Sequence, residues 1–567
     1  MAVNSPAKTA TSILTFHAIQ LSLHLMNKIR QYFQIIVFWS FLTVFLNASS
    51  ADSLISYLAC GNCHLGIQTN LDIKEVTPDL SNAGLRYRPA YLFEFLQTPK
   101  QIRHNIGAAR MPGFHFDEEE ALAVTLFLME QRSPEMLPKI LDQSPERGVD
   151  AEKIIREDLQ CTSCHGLNGS GQNNSTDLTD VGMRLQEDWL REYLTAPHLF
   201  DGDDTQMPSF FYEYSQADNQ LRPISVEAPV RLSKIVGYLI SLKRKEANQA
   251  SASFNKVKER LPHVTAEMGR DIILSQNCHA CHTLDRLTPW FPRNGPDLSI
   301  ESQRVQRGWL IGYLSQSHAV RPFGYFPGSG SRMPDFRLTE DEVAELTSFF
   351  KKGHDDKSGR KQQELSAFSK TKALTLLRDK LSCLGCHRLD GFGGMIGPDL
   401  SSTSSRLNAP FVDMMILHPR MLVPESIMPK VPLSPEAATL VGSYLKGTLS
   451  SQKQDSYLSL VDHQPYNPKE SIYREYCSGC HGLDGGGDGF NAAYLPKRPI
   501  SHSDKSLMSE RPDDVLYDGI YSGGAILERH HFMPPWGETF SPYDVKKLVE
   551  EIRQLCQCEG PNWSQPQ

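Results

Sequence analysis

Apolar residues recur along this chain at helical spacing, and one succession of helical stripes returns five times. The first stripe of each copy is short. In the second copy Ile154, Ile155 and Leu159 share a face; in the third Met268, Ile272 and Ile273 do; in the fourth Leu374, Leu377 and Leu381 do. Such spacing predicts amphipathic helices. A middle stripe opens on an arginine and continues with aromatics and leucines. It reads Arg86, Tyr91-Leu92 and Phe95-Leu96, then Arg184, Trp189-Leu190 and Tyr193-Leu194. It returns as Arg304, Trp309-Leu310 and Tyr313-Leu314, and as Arg406, Phe411-Val412 and Ile416-Leu417. The fifth copy departs, with Val515, Leu516 and Ile520 in that place. A last stripe closes each copy, such as Val343, Leu346, Phe349 and Phe350. Three of these closing helices carry start signals. Thr339-Glu340-Asp341-Glu342 has the pattern of a capping box. Ser434-Pro435 and Ser541-Pro542 place proline at the first helical position. Period-two alternation is scarce, so the chain is expected to be all-α.

Polar, charged stretches separate the copies, most clearly 243–260 and 352–372, and read as linkers. A chain of 567 residues requires several domains. The expected division is a signal region at 1–51, then five small helical domains at 52–132, 133–247, 248–354, 355–450 and 451–567.

Each copy carries one chemical motif just after its first stripe. Cys60-Gly61-Asn62-Cys63-His64 is the first instance of Cys-x-x-Cys-His. The others hold Cys161, Cys164 and His165; Cys278, Cys281 and His282; Cys383, Cys386 and His387; and Cys477, Cys480 and His481. This pattern is the attachment site of a c-type haem: two thiols bond to the porphyrin edge and the histidine binds iron. Ten of twelve cysteines are used in this way; Cys556 and Cys558 remain, with no histidine after them. A bond between cysteines two apart would be strained, so their state is left open.

A Met-Pro follows every motif, at Met111, Met207, Met333, Met428 and Met533, with gaps of 47, 42, 51, 41 and 52 residues from the motif histidine. Methionine as a core filler demands neither proline nor regular spacing, so these residues are expected to be the second axial ligands. Thioether ligation raises the potential relative to bis-histidine, and it leaves no vacant site for substrate. His104, His198, His318, His418, His530 and His531 are the competing ligands; His279 reads as a variable residue inside its motif. Between motif and middle stripe lies a turn, Pro78-Asp79-Leu80, Pro296-Asp297-Leu298 or Pro398-Asp399-Leu400. The second copy keeps only Asp177-Leu178, and the fifth offers Pro499-Ile500. A proline-fixed turn would hold still a carbonyl that accepts from the ligand histidine's other ring nitrogen. Zinc sites need four ligands brought together and thioredoxin-like pairs a βαβ context; neither matches.

This order of helix, Cys-x-x-Cys-His, turn, middle helix, Met-Pro and closing helix resembles the class I cytochrome c family, five times over. The resemblance implies small helical domains whose first and last helices cross, five covalently attached c-type haems, and iron held by His64/Met111, His165/Met207, His282/Met333, His387/Met428 and His481/Met533.

Lys28 and Arg30 precede an apolar run at Ile35–Leu46, followed by small residues up to Ala51. That is the pattern of an export signal, and the run is short for a membrane span. A retained segment would instead hold the protein at a membrane. The expected place is the periplasmic or cell-surface side of a bacterial membrane. The formal charge is −8, and it becomes −11 without residues 1–51, which hold Lys8, Lys28 and Arg30 and no acid. A polynucleotide partner is not expected; redox proteins as donor and acceptor are, one with a basic docking patch. The reading is therefore an exported electron carrier. The alternative is a haem enzyme, a peroxidase or small-oxide reductase, with one open distal site. Oligomeric state, donor, acceptor and direction of flow are not specified.

Overall fold

The computed structural model describes the chain from Ser50 to Ser564, apart from residues 70, 103–105, 133–150, 202–204, 216–219, 244–246, 285–286, 288–294, 322–323, 325–331, 351–363, 425, 448–470 and 528. Residues 1–49 of the expected signal region and His104 lie outside the described residues. Two units are distinguished, Met1–Ile55 and Ser56–Gln567, and the second contains all five motifs.

The fold is mostly helical. Helices of the first repeat are α1 (Ser50–Tyr57), α2 (Pro89–Gln97) and α3 (Glu118–Glu130). The second repeat supplies α4 (Glu187–Thr195) and α5 (Ala228–Ser241). In the third are α6 (Ala247–Arg260), α7 (Ala266–Ser275), α8 (Arg307–Ser315) and α9 (Glu340–Phe350). The fourth contributes α10 (Ala367–Asp379), α11 (Ala409–Leu417) and α12 (Pro435–Lys446), and the fifth α13 (Asp513–Ser522) and α14 (Pro542–Cys556). Strand is confined, among the described residues, to three two-stranded ribbons: Gly166–Leu167 with Ser170–Gly171, Tyr212–Ser215 with Gln220–Pro223, and Arg388–Leu389 with Phe392–Gly393.

The expected caps form. In α9 the Thr339 N–H donates to Glu342 and the Glu342 N–H returns to Thr339 Oγ1, at 2.8 and 3.2 Å. Ser434 and Ser541 cap α12 and α14 with proline at the first position. Helix α3 carries a further capping box, Asp117 with Glu120. Two expectations are corrected. The stretch 243–260 is not simply a linker: most of it is α6, where Ala250, Phe254 and Val257 form a buried stripe within a polar sequence. The recurrent arginine does not start the middle helix. It ends a separate single turn, such as Ala83–Arg86, and two extended residues, Tyr87 and Arg88, intervene before α2.

The larger departure lies in how the repeats pack. In the fourth repeat the leading helix α10 packs on its own closing helix α12. The first and third repeats do otherwise. Helix α7, which leads into Cys278, crosses α3, the closing helix of the first repeat. The crossing is close enough that a Cβ on Gly269 would lie 2.0 Å from the Ala123 carbonyl oxygen. One core joins Leu92, Phe93, Leu122 and Phe127 of the first repeat to Phe254, Ile273 and Leu284 of the third. The segments 52–132 and 248–354 are thus covalent repeats whose parts are shared between two packed bodies.

Candidate haem sites

In every repeat a short helical turn presents the Cys-x-x-Cys-His segment, and the histidine N–H bonds back to the carbonyl of the first cysteine in four of them, at 2.9–3.0 Å. All five histidines then direct Nδ1 to a backbone carbonyl. His165 reaches Thr176 at 2.7 Å, His387 reaches Pro398 at 2.8 Å and His481 reaches Ile500 at 3.0 Å, each within its own repeat. His64 instead meets Pro296 at 2.9 Å, and His282 meets Pro78 at 3.0 Å. Each of these two rings uses the turn of the other repeat. Adjacent backbone bonds follow the same exchange. In the fourth repeat the Gly397 N–H donates to Cys386 and Leu400 to Arg388. The corresponding pairs elsewhere are Gly295 to Cys63, Leu298 to Leu65, and Leu80 to Thr283.

The turns work as their sequence suggests. Asp79, Asp297 and Asp399 each accept from the N–H two residues on, at 2.7–2.8 Å, which fixes the turn that presents the proline carbonyl. Glycine is needed beside the ring: a Cβ on Gly295 would lie 2.4 Å from His64, and one on Gly397 2.5 Å from His387.

A cavity of about 1910 Å³ contains Cys60, Cys63 and His64, Cys161, Cys164 and His165, and Cys278, Cys281 and His282, together with Met111, Met207 and Met333. A second, of about 480 Å³, is lined by Cys383, Cys386, His387 and Met428. In the fifth repeat Cys477 and Met533 pack on one core. The histidines named as competitors are placed otherwise. His418 sits at the N-cap position of the short helix Pro419–Leu422, with no capping bond from its side chain, and is not among the residues lining the second cavity. His530 and His531 stack on each other and meet Phe532 edge-on. His198 packs against Tyr214 with the two rings tilted. His318 does line the first cavity, edge-on to Tyr313.

These residues fit covalent haem on three counts. First, the cysteine pairs line the cavities beside their histidines, where a porphyrin edge would lie, and burial pushes the Cys60, Cys278 and Cys281 thiols up to about 12 and Cys383 up to about 11. Burial lowers the pKa of all five histidines, which leaves neutral imidazoles; with Nδ1 donating, Nε2 would keep a lone pair for iron. Third, the Nε atoms of Arg86 and Arg406 are buried at the cavity walls with no hydrogen-bond partner among the described residues, while Arg184 Nε lies 3.6 Å from the Asp180 carboxylate. Buried cationic donors in an apolar cavity suit the carboxylates that a haem carries.

Several participants escape sequence reasoning. Asn277 donates to Cys63 Sγ at 3.4 Å, and Asn491 to Cys480 Sγ at 3.3 Å. His502 stacks on His481, ring centroids 4.2 Å apart, and bonds to the Tyr473 hydroxyl at 2.9 Å. No motif marks any of them. Cys556 and Cys558, left open above, are disulfide-bonded; Gln557 between them is in the left-handed region.

Comparison with known proteins speaks to the C-terminal part. Residues 465–550 match the family described as cytochrome C oxidase, cbb3-type, subunit III. Over 107 residues the chain is 34% identical to the cbb3-type cytochrome c oxidase subunit CcoP of Helicobacter pylori strain ATCC 700392 / 26695, covering 19% of this chain and 35% of that protein. CcoP of Helicobacter pylori strain 52 is 34% identical over 107 residues, 34% of its length. The chain spans about a third of the length of these curated relatives. No solved structure matches. A c-type cytochrome domain, with the covalently bound iron haem that such a domain implies, therefore lies near the C-terminus.

Proposed function

We propose that the chain is an exported carrier with five haems, passing single electrons between a donor protein and an acceptor protein. The observation that carries this reading is the recurrence of one proximal arrangement at all five motifs: two cysteines, and a histidine whose Nδ1 is 2.7–3.0 Å from a backbone carbonyl. The bound haem supplies reversible one-electron chemistry at iron.

The chain's own residues do the rest. The cysteine pairs at 60/63, 161/164, 278/281, 383/386 and 477/480 anchor the porphyrins. The carbonyls of Pro296, Thr176, Pro78, Pro398 and Ile500 set tautomer and ring orientation of His64, His165, His282, His387 and His481. Met111, Met207, Met333, Met428 and Met533 fill the opposite face, which disfavours substrate binding. Apolar walls exclude water and raise the potential. The acidic balance favours partners with basic docking surfaces. The likeness to a subunit of a cbb3-type cytochrome c oxidase makes a terminal oxidase a candidate for one of them.

A spectroelectrochemical titration of the purified protein tests the proposal. Five haems per chain, all low-spin with thioether ligation, are expected. A high-spin ferric haem with peroxide turnover would replace the carrier by the haem-enzyme reading.

A further inference from the structure

We infer that two of the haem sites are composite. The haem on Cys278 and Cys281 takes its second ligand from Met111, the haem on Cys60 and Cys63 takes Met333, and the five sites lie in the spatial order two, three, one, four, five. This inference rests on the five-haem reading above and adds to it which methionine faces which histidine.

The crossed histidine contacts fix the proximal side. His282 is held by Pro78 and His64 by Pro296. From Pro78 the chain runs on through α2 and Met111 to α3, and α3 crosses α7, the helix that leads into Cys278. Met111 packs on the same core as Cys278. The turn, middle helix, methionine and closing helix around the Cys278 site thus all come from the first repeat. By the reciprocal path Pro296 leads through α8 and Met333 to α9. The two methionine loops meet: Gly113 and Asp335 exchange both backbone hydrogen bonds at 2.7 Å, and Arg110 pairs with Glu342 at 2.7 Å.

The order follows from two kinds of junction that alternate. One joins cysteine segments. Asn277, just before Cys278, donates to Cys63 Sγ, and Asn62 donates to the Ala280 carbonyl at 2.6 Å, so sites three and one adjoin. Asn491 likewise donates to Cys480 Sγ and to the Gly385 carbonyl at 2.7 Å, so sites five and four adjoin. The other kind joins the residues after the recurrent arginine. Arg88 N–H donates to the Arg184 carbonyl and Gln186 N–H to that of Arg86, at 2.9 and 3.0 Å. The same pair returns as Gln306 to Arg406 and Asn408 to Arg304, at 2.9 and 3.0 Å. The first links the shell of site three to site two; the second links the shell of site one to site four. Arg406 lines both cavities, where they approach each other.

The test marks one haem at a time in the full chain. Cys281→Ser leaves that haem held by a single thioether, which moves its reduced band to longer wavelength while the protein stays fully loaded. Met111→His or Met333→His is then added; each keeps iron six-coordinate, so folding is preserved, and exchanges thioether for imidazole, which lowers the potential. Crossed ligation is expected to lower the midpoint of the marked band with Met111→His and leave it in place with Met333→His. In a Cys63→Ser background the two should change places. The same-repeat pattern in both backgrounds, Met333 with Cys281 and Met111 with Cys63, would overturn the crossing while leaving the carrier reading intact. A parent protein with no methionine-ligated haem would overturn the crossing and leave electron transfer standing, whereas a high-spin ferric haem with peroxide turnover would overturn the carrier reading itself.

Discussion

His64 and Pro296, 232 residues apart in sequence, form the same 2.9 Å ring-to-carbonyl contact that His387 and Pro398 make at 2.8 Å across only 11 residues. Closing the longer span costs about 2.7 kcal/mol more in chain entropy. The reciprocal contact of His282 with Pro78 adds little further cost, because the first closure already brings the repeats together. The α3–α7 crossing and the Arg110–Glu342 pair offset it.

Gly295 is the residue that lets Pro296 reach His64. Gly295→Ala would place a Cβ 2.4 Å from the imidazole, so either ring or turn must move. Overpacking of this kind costs about 1–3 kcal/mol. On the five-haem proposal, a redox titration should show one midpoint of five shifted, that of the haem on Cys60 and Cys63, and the other four unchanged. A shift at the haem of Cys278 instead would contradict the geometry.

Gly269→Val attacks the helix crossing, because any Cβ there would lie 2.0 Å from the Ala123 carbonyl oxygen. A loss of about 1–3 kcal/mol is expected. Since the two residues belong to different repeats, hydrogen exchange should speed up in α3 and α7 alike. Loosening of α7 alone would count against the shared core.

Burial raises the pKa of Glu342, but the Arg110 guanidinium and the Thr339 backbone outweigh it and hold the carboxyl below the usual carboxylate range. A carboxyl depressed in the folded state contributes stability above its unfolded pKa and loses it as pH falls through the folded value. Acidification through that lowered range should therefore loosen the contact between the first and third repeats. Glu342→Gln should remove this part of the pH dependence and cost about 1.5–3 kcal/mol at neutral pH. Thermal melts of both proteins across the acid range check it; parallel curves would refute the assignment.

Asn491 is fully buried and bridges two repeats: its amide donates to the Gly385 carbonyl and Cys480 Sγ, and its carbonyl accepts from the Met395 N–H at 2.7 Å. Asn491→Ala leaves these groups without partners, at about 1–3 kcal/mol for each buried group stranded. The midpoint of the haem on Cys477 and Cys480 should also move, because the Asn491 amide lies against the sulfur that would anchor the porphyrin, and polarity and burial beside a haem tune its potential. An unchanged midpoint would make Asn491 structural only.

What the chain discloses by itself is mostly local. Cys-x-x-Cys-His, Pro-Asp-Leu and the caps at Thr339, Ser434 and Ser541 act over a few residues, and each does locally what its chemistry suggests. Which Pro-Asp-Leu serves which histidine is not local. The turns at Pro78 and Pro296 are equivalent by sequence, so His64 finds the same partner chemistry in either. Helix α6 was hidden for a related reason: three apolar residues in a charged stretch become a stripe only when α2 offers Phe93 to Phe254, with ring centroids 5.6 Å apart. Asn277 and Asn491 look like ordinary polar residues until a cysteine from elsewhere lies beside them.

The sharing of parts between the first and third repeats also orders events during synthesis. The second repeat holds its own turn and core, so it can close as soon as it emerges. The first cannot: Cys60, Cys63 and His64 wait for Pro296, α8 and α9 before their surroundings exist. Contacts over so long a sequence separation form slowly, and the waiting α2 and α3 expose apolar faces in the meantime. The same delay leaves the thiols of the Cys60 motif open until the later segments have closed around them.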